Sequence, residues 1–155
     1  MTFTRTGDTD VASMPDPVSL PSRVVSPAQG LRGVYHSVTT YTGGAQYAPQ
    51  ESDYRVDTIC LRAGDRCLSR FLMTDGSGHF EMLVFANGSW NRDEEFDSPC
   101  SAGGTSHVKI NGEFPLPNPP QDPISQLVGH GYKDNSANTQ CKSSNYEQTF
   151  NRTGD

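Results

Sequence analysis

The sequence predicts a mainly all-β fold: an antiparallel meander of six to eight short strands, curled as an open sheet or closed as a calycin-like barrel, stapled by two disulfides. Three observations carry this. Short β-branched and aromatic runs alternate with turn residues. Apolar residues make up only 33% of a chain with 15 Gly and 11 Pro, a composition rich in loops and thin in core. Four cysteines, Cys60, Cys67, Cys100 and Cys141, supply the missing stabilisation as two disulfides with three possible connectivities.

Disulfides that persist imply an oxidising compartment. A cysteine-rich metal site is the rival reading. No C-x-x-C pair occurs, however, and none of His36, His79, His107 or His130 stands at a zinc-like spacing from a cysteine. No metal ligand set and no cofactor is therefore expected. At 155 residues the chain fits one domain. The net charge of −6 offers no basic stripe, so nucleic acid and anionic membrane surfaces are poor partners. No apolar run reaches the roughly 18 residues of a membrane span, and Met1 to Arg5 lacks the apolar centre of a signal peptide. An export signal or membrane anchor is expected outside this stretch of chain.

Both ends carry nearly the same hexapeptide, Phe3-Thr4-Arg5-Thr6-Gly7-Asp8 and Phe150-Asn151-Arg152-Thr153-Gly154-Asp155, offset by 147 residues and matching at five of six positions. Tandem modules of about this length would produce it, as a bead-like array rather than a solenoid, whose repeats run to about 20–50 residues. Residues 1–30 read as an extended Pro/Ser-rich lead-in, with Pro15, Pro17, Pro21 and Pro27 forbidding a regular helix or central strand. Residues 31–155 read as the disulfide-stapled domain.

The first strand is predicted over 30–41, ending before Gly43-Gly44. If Cys60 and Cys67 face each other across a hairpin, its register pairs Thr58 with Ser69, Val56 with Phe71 and Tyr54 with Met73 on one face. On the other it pairs Asp57 with Arg70 and Ile59 with Leu68. Apolar meets apolar and opposite charges meet, pairings worth roughly 0.2–1 kcal/mol each. After a turn at 74–78, Phe80 to Phe85 is a strand, and Asn87-Gly88 turns the chain so that Phe85 faces Trp90. Asp93-Glu94-Glu95 reads as an acidic loop, His107 to Ile110 as a strand, and residues 114–120 as polyproline II. Ile124 to Val128 reads as one helical turn after Asp122-Pro123, Gly129-His130-Gly131 as a turn, and Tyr146 to Arg152 as the last strand.

No catalytic constellation emerges. Paired cysteines leave no thiol nucleophile, and no G-x-S-x-G occurs. His79 and Glu81 share a strand face without a third partner, and Asp93-Glu94-Glu95 lacks the spacing of a calcium loop. A wall hydrolase would need a convergent carboxylate pair that the sequence does not display. Asn87 and Asn151 head N-x-S/T triplets, to which no function attaches. The remaining clue is aromatic. Tyr35, Tyr41, Tyr47, Tyr54, Trp90, Tyr132 and Tyr146 serve either as sheet packing or as a groove lining. Tyr35, Tyr54 and Trp90 are the ligand-binding candidates.

Several residues in order complete the reading: Leu31-Arg32-Gly33-Val34-Tyr35, Cys60 and Cys67 around a Gly-containing loop, Phe85 with Gly88-Ser89-Trp90, then Cys100, Gly131, Cys141 and the terminal Phe150 to Asp155. This order resembles the extracytoplasmic modules of mycobacterial transmembrane Ser/Thr protein kinases and related envelope proteins, over roughly Leu31 to Asp155. The duplicated hexapeptide departs from it, since it implies tandem copies. The resemblance implies a non-catalytic sensor region facing the cell wall, with a wall ligand or envelope protein as partner and any kinase domain across the membrane. A rigid structural repeat of an envelope protein is the alternative.

Overall fold

The computed structural model describes residues 14–43, 47–100, 103–135 and 141–155, with positions 7 and 12. Eight antiparallel strands follow one another: β1 (Gly33–Thr42), β2 (Gln50–Cys60), β3 (Cys67–Met73), β4 (Phe80–Ala86), β5 (Ser89–Pro99), β6 (Thr105–Pro115), β7 (Gln126–Asp134) and β8 (Ser144–Gly154). Each pairs with the next and β8 pairs with β1, so the meander closes into a barrel. Closure leaves no strand at a sheet edge, although β4 and β5 pair over only three positions, Val84 with Asn91, Phe85 with Trp90 and Ala86 with Ser89.

The β2–β3 hairpin has the register that facing cysteines dictate, with Tyr54 opposite Met73, Val56 opposite Phe71 and Thr58 opposite Ser69. Cys60 and Cys67 are bonded, and Arg70 donates to Asp57 across the outer face. The β4–β5 turn places Asn87 at φ 55° and Gly88 at φ 85°. Two left-handed residues in a two-residue loop match the strand twist, and Phe85 lies opposite Trp90.

Strand alternation sends every second side chain inward, and the interior is divided along its length. Toward the lower end, where β2 meets β3 and β4 meets β5, Phe71, Phe114, Phe150, Trp90, Leu83 and Leu127 are fully buried. Phe71 and Phe150 stack at 4.6 Å between centroids, and Phe85 and Trp90 at 4.8 Å. The lead-in closes this end. Pro27–Gly30 forms a short 3-10 turn opened by Ser26, Ala28 and Leu31 are fully buried beside Ile124, and Ile124 N–H donates to Gly30 O at 2.8 Å. A Cβ on Gly30 would stand 2.5 Å from Gln121 O, so only glycine fits there. A buried chain of hydrogen bonds runs from Trp90 Nε1 to Ser69 Oγ (3.0 Å), on to Thr58 Oγ1 (2.7 Å) and to Leu31 O (2.6 Å). The second disulfide, Cys100–Cys141, joins the β5–β6 and β7–β8 connections at the upper end.

Four expectations are corrected. Asp93-Glu94-Glu95 lies inside strand β5, paired along its whole length with β6. The helical turn at Ile124 to Val128 is replaced by the start of β7, which also contains Gly129-His130-Gly131. Those glycines are packing residues. A Cβ on Gly129 would collide with the Phe114 ring and Glu113 O, and one on Gly131 with Asn111 O and, at 2.6 Å, the Tyr146 ring. In the predicted polyproline run, Phe114 and Pro115 end β6 instead. The second hexapeptide copy is the end of β8, with Phe150 in the core. The first copy lies outside the described residues except for Gly7.

Candidate ligand-binding site

Toward the upper end the inward positions turn polar, and the barrel encloses a hollow of about 200 Å³. Ser37, Thr39 and Tyr41 of β1, and Gln50 and Ser52 of β2, form one wall; Tyr146 and Gln148 of β8, Lys133 of β7 and Ile110 of β6 form another. Arg92 and Phe96 of β5 meet Glu81 of β4 across the third. Tyr54 marks the boundary. Its ring packs against Phe71 and Phe150 at 6.0 Å, and its hydroxyl donates to Glu81 Oε1 at 2.7 Å.

Arg92 is the centre of charge. Its side chain is only 11% exposed, with Nη1 3.1 Å from Glu81 Oε2 and Nη2 2.8 Å from Glu94 Oε2. Burial opposes the charge of this guanidinium, but the Glu81 and Glu94 carboxylates outweigh it and raise its pKa. Among the described residues, three side-chain polar atoms are buried without a hydrogen-bond partner: Glu81 Oε2, Arg92 Nε and Gln148 Oε1. The first is in ion-pair reach of Arg92 but off hydrogen-bonding geometry. Gln148 is 3% exposed and spends its amide N–H on Ser37 Oγ at 3.1 Å. Lys133 makes no ion pair among the described residues; its ammonium lies 5.7 Å from the centre of the Tyr47 ring. Burial, then repulsion from Arg92, lowers its pKa. Burial raises the Tyr146 phenol to about 12. Unsatisfied buried polar groups cost roughly 1–3 kcal/mol each, so this wall is poised to exchange hydrogen bonds with a guest.

A cleft of about 480 Å³ lies outside the same wall, lined by Met73, His79, Phe80, Glu94 and Asp97 and sharing Tyr54, Glu81, Arg92 and Phe96 with the hollow. His79, Glu81 and Arg92 all line this cleft.

Of the three aromatic candidates, only Tyr54 reaches the hollow. Tyr35 and Trp90 are fully buried in the lower core, with their polar atoms spent on Ile124 O and Ser69 Oγ. Tyr41 and Tyr146 also line the hollow, while Tyr47 packs edge-on against Tyr41 at 5.1 Å. Tyr132 points outward and is 39% exposed. Sequence reasoning missed Arg92, Lys133 and Gln148. The available signal was two-residue spacing: Gln148 sits midway between Tyr146 and Phe150 on the inward face of a predicted strand.

No protein-family model matches the chain, and no curated protein matches it. Among solved structures it is similar to the monomer form of the PknI sensor domain of M. tuberculosis, at TM-score 0.56 and 20% identity over 81% of this chain and 88% of that one. This likeness shows a shared fold.

Proposed function

We propose that the chain is an extracytoplasmic ligand-sensing module of a membrane-anchored bacterial protein, of the type carried by transmembrane Ser/Thr kinases, and that its ligand enters the polar half of the barrel. The carrying observation is the hollow with its unpartnered Gln148 oxygen and its lysine without a counter-ion. A barrel built only for stability fills its interior with side chains. The sensor-domain likeness and the two disulfides support an extracytoplasmic setting. The module itself carries no chemistry in this reading. Tyr54 contacts ligand through its hydroxyl edge, and Tyr35 and Trp90 set the floor beneath it. Cell-wall fragments and envelope proteins are the partner classes.

The test is a thermal-shift screen of the oxidised protein against wall fragments, lipids and small metabolites, beside a Thr39→Phe variant that fills the hollow. A ligand at 100 times its Kd stabilises by about 2.7 kcal/mol. A compound that shifts the wild type and not Thr39→Phe supports the reading. If every compound leaves both unmoved, the second reading, a rigid tandem spacer suggested by the 147-residue duplication, takes its place.

A further inference from the structure

The β4–β5 ladder is incomplete. Only Val84 with Asn91, Phe85 with Trp90 and Ala86 with Ser89 are paired, although β4 begins at Phe80 and β5 continues to Pro99. Continuing that register would set Leu83 beside Arg92 and Glu81 opposite Glu94, and neither pair forms. Where backbone pairing stops, the Arg92 guanidinium bridges the strands, holding Glu81 of β4 and Glu94 of β5. The hollow and the outer cleft meet at this opening, since Tyr54, Glu81, Arg92 and Phe96 line both.

The two spaces differ in chemistry. The cleft presents Met73, Phe80 and Phe96, with Phe80 54% and Phe96 41% exposed. The hollow presents the Lys133 ammonium, which makes no ion pair among the described residues. Its charged lining is Arg92, Lys133 and Glu81, and with Glu94, the second carboxylate on Arg92, the four charges sum to zero. Arg92 is already committed to two carboxylates, which leaves Lys133 as the anchor for an anion. Apolar surface at one end and a lysine without a carboxylate of its own among the described residues at the other describe a single elongated guest.

Building on the ligand-sensing reading above, we infer that the hollow and cleft form one site for a single-chain amphiphile with a small carboxylate head. The head sits beside Lys133, and the apolar chain leaves through the gap between β4 and β5, across Phe80 and Phe96. The Arg92 bridge is the latch that the guest passes.

The experiment is isothermal titration calorimetry of the oxidised protein with decanoate below its micelle concentration, compared with butyrate, decanol and decyltrimethylammonium. Decanoate should bind one-to-one, at least tenfold tighter than butyrate, which lacks the chain, and than decyltrimethylammonium, which has the wrong charge. Lys133→Met should weaken decanoate at least tenfold and leave decanol unchanged. Phe80→Ser, an exposed position, should weaken decanoate and leave butyrate unchanged. Circular dichroism checks both folds, and Lys133→Gln replaces Lys133→Met if the latter does not fold. Absence of decanoate binding, or binding indifferent to both variants, overturns the inference. If decanoate fails while another screened compound shifts the wild type and not Thr39→Phe, ligand sensing stands and the amphiphile falls; if no compound of either kind binds, both fall.

Discussion

Arg92→Met tests whether the charged bridge holds the split wall together. The substitution keeps much of the side-chain volume but leaves Glu81 and Glu94, 18% and 25% exposed, facing one another without a cation. Removing one partner of a fully buried pair costs roughly 3–5 kcal/mol. Residual solvent screening here reduces that to about 2–4 kcal/mol, a large part of the roughly 5–15 kcal/mol that holds a domain folded. Urea unfolding with both disulfides intact is the assay, and the midpoint should fall by about 1–2 M for a slope typical of a small domain. Glu81→Gln/Arg92→Met/Glu94→Gln removes the stranded charges and should recover at least half of the loss. A single variant costing less than about 0.5 kcal/mol, or a triple variant no better than the single, would refute the reasoning: the first because the charges would be solvated, the second because the loss would be packing.

Further predictions follow from other parts of the barrel. Replacing Cys100 and Cys141 by Ser opens a loop with a sequence separation of 41 and should cost about 4 kcal/mol by chain entropy, against about 2 kcal/mol for Cys60 and Cys67 at a separation of 7; urea midpoints should rank the two variants in that order. Gly131→Ala drives a Cβ into Asn111 O and to 2.6 Å from the Tyr146 ring, an overpacking that should lower stability by about 1–3 kcal/mol in the same assay. Burial raises Tyr35 and Tyr146 from 10.0 to about 12. Their neutral forms therefore stabilise fully below pH 10, and that stability is lost as pH rises toward 12, so near-ultraviolet dichroism should collapse within that window as phenolate absorbance appears. Asp97, then Glu95, raises the His107 pKa above 6.5. Its contribution is present below 6.5 and lost as pH rises through the raised value, and in an imidazole NMR titration Asp97→Asn should bring the midpoint down.

What the sequence reveals depends on what each strand faces. The β2–β3 register was legible because both of its faces carry distinct signals: cysteines and aromatics inward, and the Asp57 and Arg70 ion pair outward. Strand β5 was illegible beyond Trp90 because Arg92 lines the hollow and its ion-pair partner Glu94 the adjoining cleft, while Asp93 and Glu95 face solvent. With charge on both faces, the alternation that marks a half-buried strand vanishes. Strand β7 was hidden differently. Its inward positions 129 and 131 are glycines because Phe114 and Tyr146 occupy the space their side chains would take, so a packing requirement looked like turn chemistry. The site was obscured for the same reasons, since Arg92 and Lys133 lie on these two strands. Tyr54, the sequence candidate that lines the hollow, sits at the apolar boundary, where the strand pattern is still legible. Tyr35, the cross-strand partner of Tyr54, and Trp90 share its residue class but are fully buried, with their polar atoms spent on Ile124 O and Ser69 Oγ, which one-dimensional pattern does not encode.

Amide chemical shifts of the isotopically labelled protein, recorded with and without the compound giving the largest thermal shift in the screen, test the central claim most directly. If the polar half of the barrel is the binding site, the perturbations will centre on Ser37, Lys133, Tyr146 and Gln148 and extend to Glu81 and Arg92 at the gap. Perturbations confined to the outer face around Ile59, Leu68 and Val84, with the hollow silent, would contradict it.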